Sequence, residues 1–283
     1  MKGFLYFVVL ITCYFIAGYL FSDFRANLSA TPRSTTSGAC TVESEAIDNG
    51  QKCLVRQPKY VVPILMFHYI RTVTDPNDKL GISLSVPPET FDKMVKSISD
   101  AGYQSISLED FAAGKIKDKS IIFTFDDGYD DAYTQALPVL QKYNYTGTFF
   151  IIGDMVGKQF YMTKDQISEM KSAGMEIGGH TMSHVNLANT AEKRATEEIS
   201  KGQVDRAPVM AFPSGKYSAA TLEILKKLKI KAAVTTIEGL AGDTCDPLQL
   251  PRVRVGPGTN ILDQIKSFKT KNTYCGSLIG GTI

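Results

Sequence analysis

The stretch IIFTFDDGYDD, Ile121 to Asp131, decides how this chain is read. An apolar, β-branched and aromatic run ends in two adjacent carboxylates, then a glycine, then more acid. The run has the composition of a buried strand. Burying the Asp126–Asp127 pair at its end costs roughly several kcal/mol unless a cation or a proton sits there. Successive side chains of an extended segment alternate, so the two carboxylates are expected to point apart and to serve different ends. Gly128 suits a tight turn, and Asp130 and Asp131 read as solvated acids at the start of the next helix.

Outward from that strand, short apolar runs alternate with helical segments. YVVPILMFHYI (60–70) reads as one buried strand, and PPETFDKMVKSISDAG as a helix with Pro near its start and Gly102 at its end. Asp130 to Tyr143 reads as a helix despite Pro138, and TGTFFII (146–152) as a strand. Thr163 and Gln166 form a capping box for a helix that stops at Gly174. MEIGGH is the next strand, Asn189 the expected cap of TAEKRATEEISKG, and PVMAFP the strand after it. Ser218 starts AATLEILKKLKI, followed by the strand KAAVTTI, a final strand LPRVRV and a final helix ILDQIKSF. About seven such units argue for an α/β fold with a parallel sheet, closed into a barrel or open and doubly wound. Asp126 with Asp127, His180 with His184, and Pro213 to Gly215 each follow a strand. Chemistry-bearing groups thus gather on one rim, where α/β barrels build their sites.

The chain has only three histidines, at 68, 180 and 184. In GGHTMSHVNL, Gly178 to Leu187, two of them stand four apart, so a tight loop or one helical turn aims both imidazoles at one point. Two imidazoles and a carboxylate make a one-sided metal site with open positions, as a catalytic metal needs. Asp127 is the natural third ligand. Asp126 is then free to move a proton. Arg252 and Arg254 share a facing in the last strand; one of them could orient Asp126 by a charge-assisted hydrogen bond, a surface salt bridge being the alternative.

The N-terminal segment Gly3 to Phe21 carries no charge and approaches the roughly 20 apolar residues that span a bilayer. Residues 1–21 read as a membrane anchor with Lys2 on the cytoplasmic side, a cleaved signal being the alternative. Residues 22–58, rich in Ser, Thr, Ala and Gly, read as a linker, and 59–283 as the folded domain. Either reading of the N-terminus puts that domain outside the cytoplasm. Setting Cys13 aside, four cysteines remain, and the local pairing is Cys40 with Cys53 and Cys245 with Cys275. A net charge of +2 gives no basic field, so a nucleic-acid partner is not indicated.

TFDDG (124–128) with HTMSH (180–184) resembles the first two motifs of the NodB-type polysaccharide deacetylases, carbohydrate esterase family 4. The likeness runs from about Val61 to about Gly258 and takes in PILMFHYI, GTFFI, AFPSG and LPRVRV. It implies a distorted (β/α)7 barrel that removes acetyl groups from N-acetylglucosamine (GlcNAc) polymers or, less often, xylan. It further implies that Asp127, His180 and His184 hold a divalent metal, commonly zinc. Asp126 is then the general base toward water attacking the acetamide carbonyl. Pro213, Ser214 and Gly215 would form the oxyanion turn, with the donor at the Ser214 backbone, where the family usually has an aromatic residue. Arg252 matches the family's Leu-Pro-Arg stretch and is counted with this substrate-binding group.

Two further departures stand out. The family's late histidine is missing, and the connection EEISKGQVDRAPVMAFP is short. The branch that includes biofilm poly-N-acetylglucosamine deacetylases also carries a His in the first strand. That resemblance suggests His68 as proton donor or substrate ligand; a core His bonded to backbone is the alternative. The expected substrate is peptidoglycan or an exported poly-N-acetylglucosamine. The alternatives are a polysaccharide O-acetyl esterase and a carbohydrate-binding scaffold on the same fold.

Overall fold

The computed structural model describes residues 47–48, 51–52, 58–204 and 208–275. Eight parallel strands supply the frame: β1 (Ile64–Phe67), β2 (Gln104–Ser105), β3 (Ser120–Phe125), β4 (Thr148–Ile151), β5 (Glu176–Gly179), β6 (Val209–Ala211), β7 (Ala232–Glu238) and β8 (Leu250–Arg254). The order β1-β8-β7-β6-β5-β4-β3 closes on itself because β3 also pairs with β1, Ile64 opposite Ile122 through Phe67 opposite Phe125. The result is a seven-stranded parallel barrel, with β2 added beside the start of β3. The doubly wound alternative is excluded by that closure.

Helices α1 (Lys79–Leu84), α2 (Pro88–Asp100), α3 (Leu108–Ala112), α4 (Leu137–Lys142), α5 (Lys164–Ser172), α6 (Glu192–Gly202), α7 (Ala219–Lys227) and α8 (Ile261–Thr270) accompany the strands among the described residues. Strand alternation sorts the core into layers. Ile64, Ile122, Phe150, Val209, Val234 and Leu250 cluster in one, apart from Leu65, Phe67, Phe123 and Phe125, which pack with Phe91, Val95 and Ile98 of α2. A third cluster joins Met210, Phe212 and Ala233 to Ile199 of α6 and Leu225 of α7. Every residue of β3 is buried.

Several local expectations are corrected. The stretch 60–70 is not one strand: Pro63 separates Val61–Val62, which pairs antiparallel with Ala241–Gly242, from β1. The helix carrying Pro138 begins as a π-turn, Ala132–Ala136, in which the Leu137 N–H reaches the Ala132 carbonyl five residues back. The proline, which has no N–H to give, then falls in the first turn of α4. Asn189 caps nothing: α6 follows Ala191, with no side-chain cap. The Thr163–Gln166 capping box and the Ser218 start are present. The Cys245–Cys275 disulfide forms. Cys40, Cys53 and the apolar segment Gly3 to Phe21 lie outside the described residues, among which no helix is long and apolar enough to cross a membrane.

Candidate active site

Thr124, near the end of β3, and Asp126, which follows the strand directly, both face Arg252 of β8. Arg252 is fully buried and donates to the Asp126 carboxylate twice, Nη1 to Oδ1 at 2.7 Å and Nη2 to Oδ2 at 2.8 Å. Its other donors go to the Thr235 carbonyl (2.7 Å) and the Thr124 hydroxyl (3.1 Å). Burial raises the pKa of Asp126, but the guanidinium overcomes it and holds the carboxyl well below the usual carboxylate range. Arg252, expected with the substrate-binding group, is thus taken up by Asp126 and does not line the cavity. Arg254, expected to share its facing, is exposed and stands 4.0 Å from Glu238.

Asp127 leaves the strand with φ +75°, and Gly128 follows with φ +82°. Glycine takes that conformation freely; Asp127 is held there by the site around it. The turn swings the second carboxylate towards the histidines. Asp127 Oδ1 lies 3.4 Å from His180 Nε2 and 3.6 Å from His184 Nε2, and the three ligand atoms fall within 4.8 Å of one another.

The buried His180 ring sets its Nδ1 2.8 Å from the Ala211 carbonyl, which can only accept. Nδ1 therefore carries the proton and Nε2 keeps its lone pair for the cluster. Burial lowers the pKa of His180, but Asp127 and Asp126 more than reverse it; burial raises that of Asp127, and His180 more than reverses that. Two imidazole nitrogens and one carboxylate oxygen, converging from one side with a tautomer already fixed, fit a divalent cation.

His68 follows β1 and brings Nε2 to 3.7 Å from Asp126 Oδ2. Burial lowers its pKa against the pull of Asp126 and Asp127. It lines the same cavity as Asp126, Asp127, His180 and His184, a space of about 570 Å³. Pro213–Gly215 forms a tight turn in which Gly215 N–H bonds to Phe212 O and Lys216 N–H to Pro213 O. Neither bond uses the Ser214 amide, and of the three turn residues Ser214 lines the cavity.

The remaining walls were not read from the sequence. Tyr69, Tyr129 and Tyr161 form one flank, with ring centroids 4.5 and 4.8 Å apart in succession, beside Leu80 and Leu84 of α1. Tyr129 follows Gly128 directly and was the one accessible signal. Asp131, expected in solvent, is buried, accepts from Ile70 N–H and pairs with Arg71, whose guanidinium also lies over Tyr69 and Tyr129. Its burial raises its pKa against the opposing charge of Arg71.

A polysaccharide deacetylase family model matches residues 113–233. YxkH of Bacillus subtilis, a protein named as a polysaccharide deacetylase, is 34% identical over 209 residues, or 70% of this chain and 72% of that protein. The poly-beta-1,6-N-acetyl-D-glucosamine N-deacetylase of Staphylococcus aureus is 26% identical over 60% of this chain and 68% of its own. Among solved structures, the Streptococcus pyogenes deacetylase PplD in complex with acetate matches with a TM-score of 0.66 and 30% identity, over 74% of this chain and 99% of that one. A relative as similar as YxkH over that length means that the chain belongs to the polysaccharide deacetylase family of enzymes, the family that TFDDG and HTMSH resemble.

Proposed function

We propose that the chain hydrolyses N-acetyl groups of a GlcNAc-containing polysaccharide, peptidoglycan or poly-N-acetylglucosamine, outside the cytoplasm. The observation that carries this reading is the convergence of Asp127, His180 and His184 beside the buried Asp126–Arg252 pair in one open cavity. Asp127, His180 and His184 would hold a divalent cation, zinc being a natural match to two imidazoles and a carboxylate. Bound there, the cation supplies Lewis acidity, sharpening water as a nucleophile and polarising the acetamide carbonyl.

The chain's own residues do the rest. Asp126, kept ionised and aimed by Arg252, takes the proton of the attacking water as the C–O bond forms. His68, 3.7 Å from Asp126 Oδ2, is placed to relay a proton to the departing nitrogen as the C–N bond breaks, or to bind the sugar beside it. The products are acetate and a free amine on the glycan. The Ser214 N–H, left free by both turn bonds, would donate to the oxyanion, with Pro213 and Gly215 shaping the turn.

The extracytoplasmic placement is supported by the uncharged segment Gly3 to Phe21 and by the Cys245–Cys275 disulfide, which suits an oxidising compartment. Residues 1–21 would anchor the domain in the membrane, or be removed as a signal; fractionation and N-terminal sequencing of the mature protein separate the two.

Acetate release from GlcNAc oligomers, peptidoglycan and an O-acetylated xylan, each with and without chelator, tests the function. Release from the N-acetylated polymers, abolished by chelator, is expected. Chelator-insensitive release would sink the metal assignment. Release from xylan alone would make the protein an O-acetyl esterase, and no release from any glycan with metal bound would leave the scaffold reading.

A further inference from the structure

The two histidines of the candidate metal centre are not held alike. His180 ends β5 and is locked by the Ala211 carbonyl, whereas His184 is partly exposed and sits at the end of the loop Thr181–His184. That loop takes a costly path: Thr181 has φ +61° and His184 φ +56°, conformations that non-glycine residues, β-branched ones above all, avoid. Surrounding contacts must hold it.

One side of the loop is bonded by the turn after β4, with Gly153 N–H to Thr181 O (3.1 Å) and Asp154 N–H to Met182 O (2.8 Å). The other side is gripped by α6. Glu198 accepts the Met182 N–H on its backbone carbonyl at 2.9 Å. It then accepts the Ser183 N–H on Oε2 at 2.9 Å and the Ser183 hydroxyl on Oε1 at 2.7 Å. A single buried residue thus takes three donors from two successive loop residues. One turn on, Gly202 lies flat against the loop: a Cβ there would stand 2.2 Å from the Thr181 carbonyl carbon and 2.5 Å from Met182 N.

We propose that Glu198 is a positioning residue for the metal centre: its carboxylate, with Gly202 beneath it, clasps the Thr181–His184 loop and so presents His184 to Asp127 and His180. The proposal rests on the reading that these three residues hold a divalent cation. Outer residues that orient ligands typically change metal affinity by roughly 10–100-fold when removed.

The test is Zn2+ affinity by competition with a chromophoric chelator, together with the visible spectrum of the Co2+-loaded protein, on full-chain wild type, Glu198→Ala, Glu198→Gln and Glu197→Ala. Glu198→Ala is expected to bind Zn2+ about 10–100-fold more weakly with a changed Co2+ spectrum. Glu198→Gln, which can still bond both Ser183 groups, should recover most of the affinity. Glu197→Ala, on the exposed face of α6, should match wild type. A folded Glu198→Ala with wild-type affinity and spectrum overturns the clasp. If Glu198→Ala does not fold, Ser183→Ala decides: several-fold weaker binding supports the clasp and unchanged binding overturns it. Wild-type protein that binds neither cation would instead overturn the reading of the centre.

Discussion

Arg252 closes on Asp126 with two parallel hydrogen bonds, 2.7 and 2.8 Å, and neither side chain is more than 3% exposed. Removing the guanidinium strands a buried carboxylate, which costs about 3–5 kcal/mol. Arg252→Met should lose stability of that order in urea unfolding at pH 7. The sign with pH follows from the depressed pKa of Asp126 in the folded state. The pair's contribution is complete above the unfolded value of about 3.9 and is lost as pH falls through the lower folded value. The gap between wild type and variant should therefore be wide near pH 7 and narrow as pH falls, first as the stranded carboxyl of the variant, its pKa raised by burial, takes a proton, and then below about pH 4 as the wild-type pair itself is lost. Equal urea midpoints at pH 7 would contradict this.

Charge alone does not replace the fork. Arg252→Lys keeps a cation but cannot make two parallel bonds while also serving the Thr235 carbonyl and Thr124. Misaiming a catalytic group by about 1 Å costs on the order of 10²-fold in rate. The expected result is a kcat loss of about that size with KM changed little, because Arg252 does not reach the cavity. A KM rise at unchanged kcat would mean that Arg252 binds substrate after all.

His68→Ala should lower kcat by about 10²–10⁴-fold if His68 carries a proton to the leaving amine. A ligand role shows instead as a raised KM with smaller loss of kcat. Full turnover in the variant would remove His68 from the mechanism. His68→Gln, which retains a hydrogen-bond donor but cannot relay a proton, separates the two roles.

Cation loading should stabilise the fold through the same three ligands. A ligand at 100 times its Kd adds about 2.7 kcal/mol to the native state. Wild-type protein with excess Zn2+ should melt several degrees above its chelator-treated form. Asp127→Asn and His184→Ala should melt at one temperature in both conditions. A Zn2+ shift that survives in both variants would place the cation elsewhere.

The barrel and its acidic pair were legible because β3 has the β-branched, aromatic composition of a buried strand, and the histidine pair because its two members stand four apart just after the short strand EIGG. Alternation along β3 separated Asp126 from Asp127, although the left-handed turn at Asp127 was not foreseeable. Other features depend on partners far away in sequence. Asp131 looked solvated because Ile70 and Arg71, which bury it, lie some sixty residues earlier. The tyrosine flank joins positions 69, 129 and 161 from three separate loops. Glu198 resembles any acid of a charged helix until Ser183 is seen against it. The π-turn before Pro138 shows the opposite limit, where a local rule correctly flags strain but does not say how the backbone relieves it.

The Cys245–Cys275 bond ties the loop after β7 to the segment after α8, across a sequence separation of 30 residues. Backbone bonds already join the two regions, Leu240 N–H to Thr273 O and Cys275 N–H to Leu240 O. The disulfide's main effect is thus expected on the unfolded chain, whose freedom it restricts by about 2–4 kcal/mol. At roughly 2–4 °C per kcal/mol for a domain of this size, the double variant Cys245→Ser/Cys275→Ser should melt about 4–16 °C lower. Neither cysteine lines the active-site cavity, so kcat and KM at 25 °C should be unchanged. A variant that melts with wild type would show the backbone bonds suffice; one that keeps its melting temperature but loses turnover would tie this loop to the site.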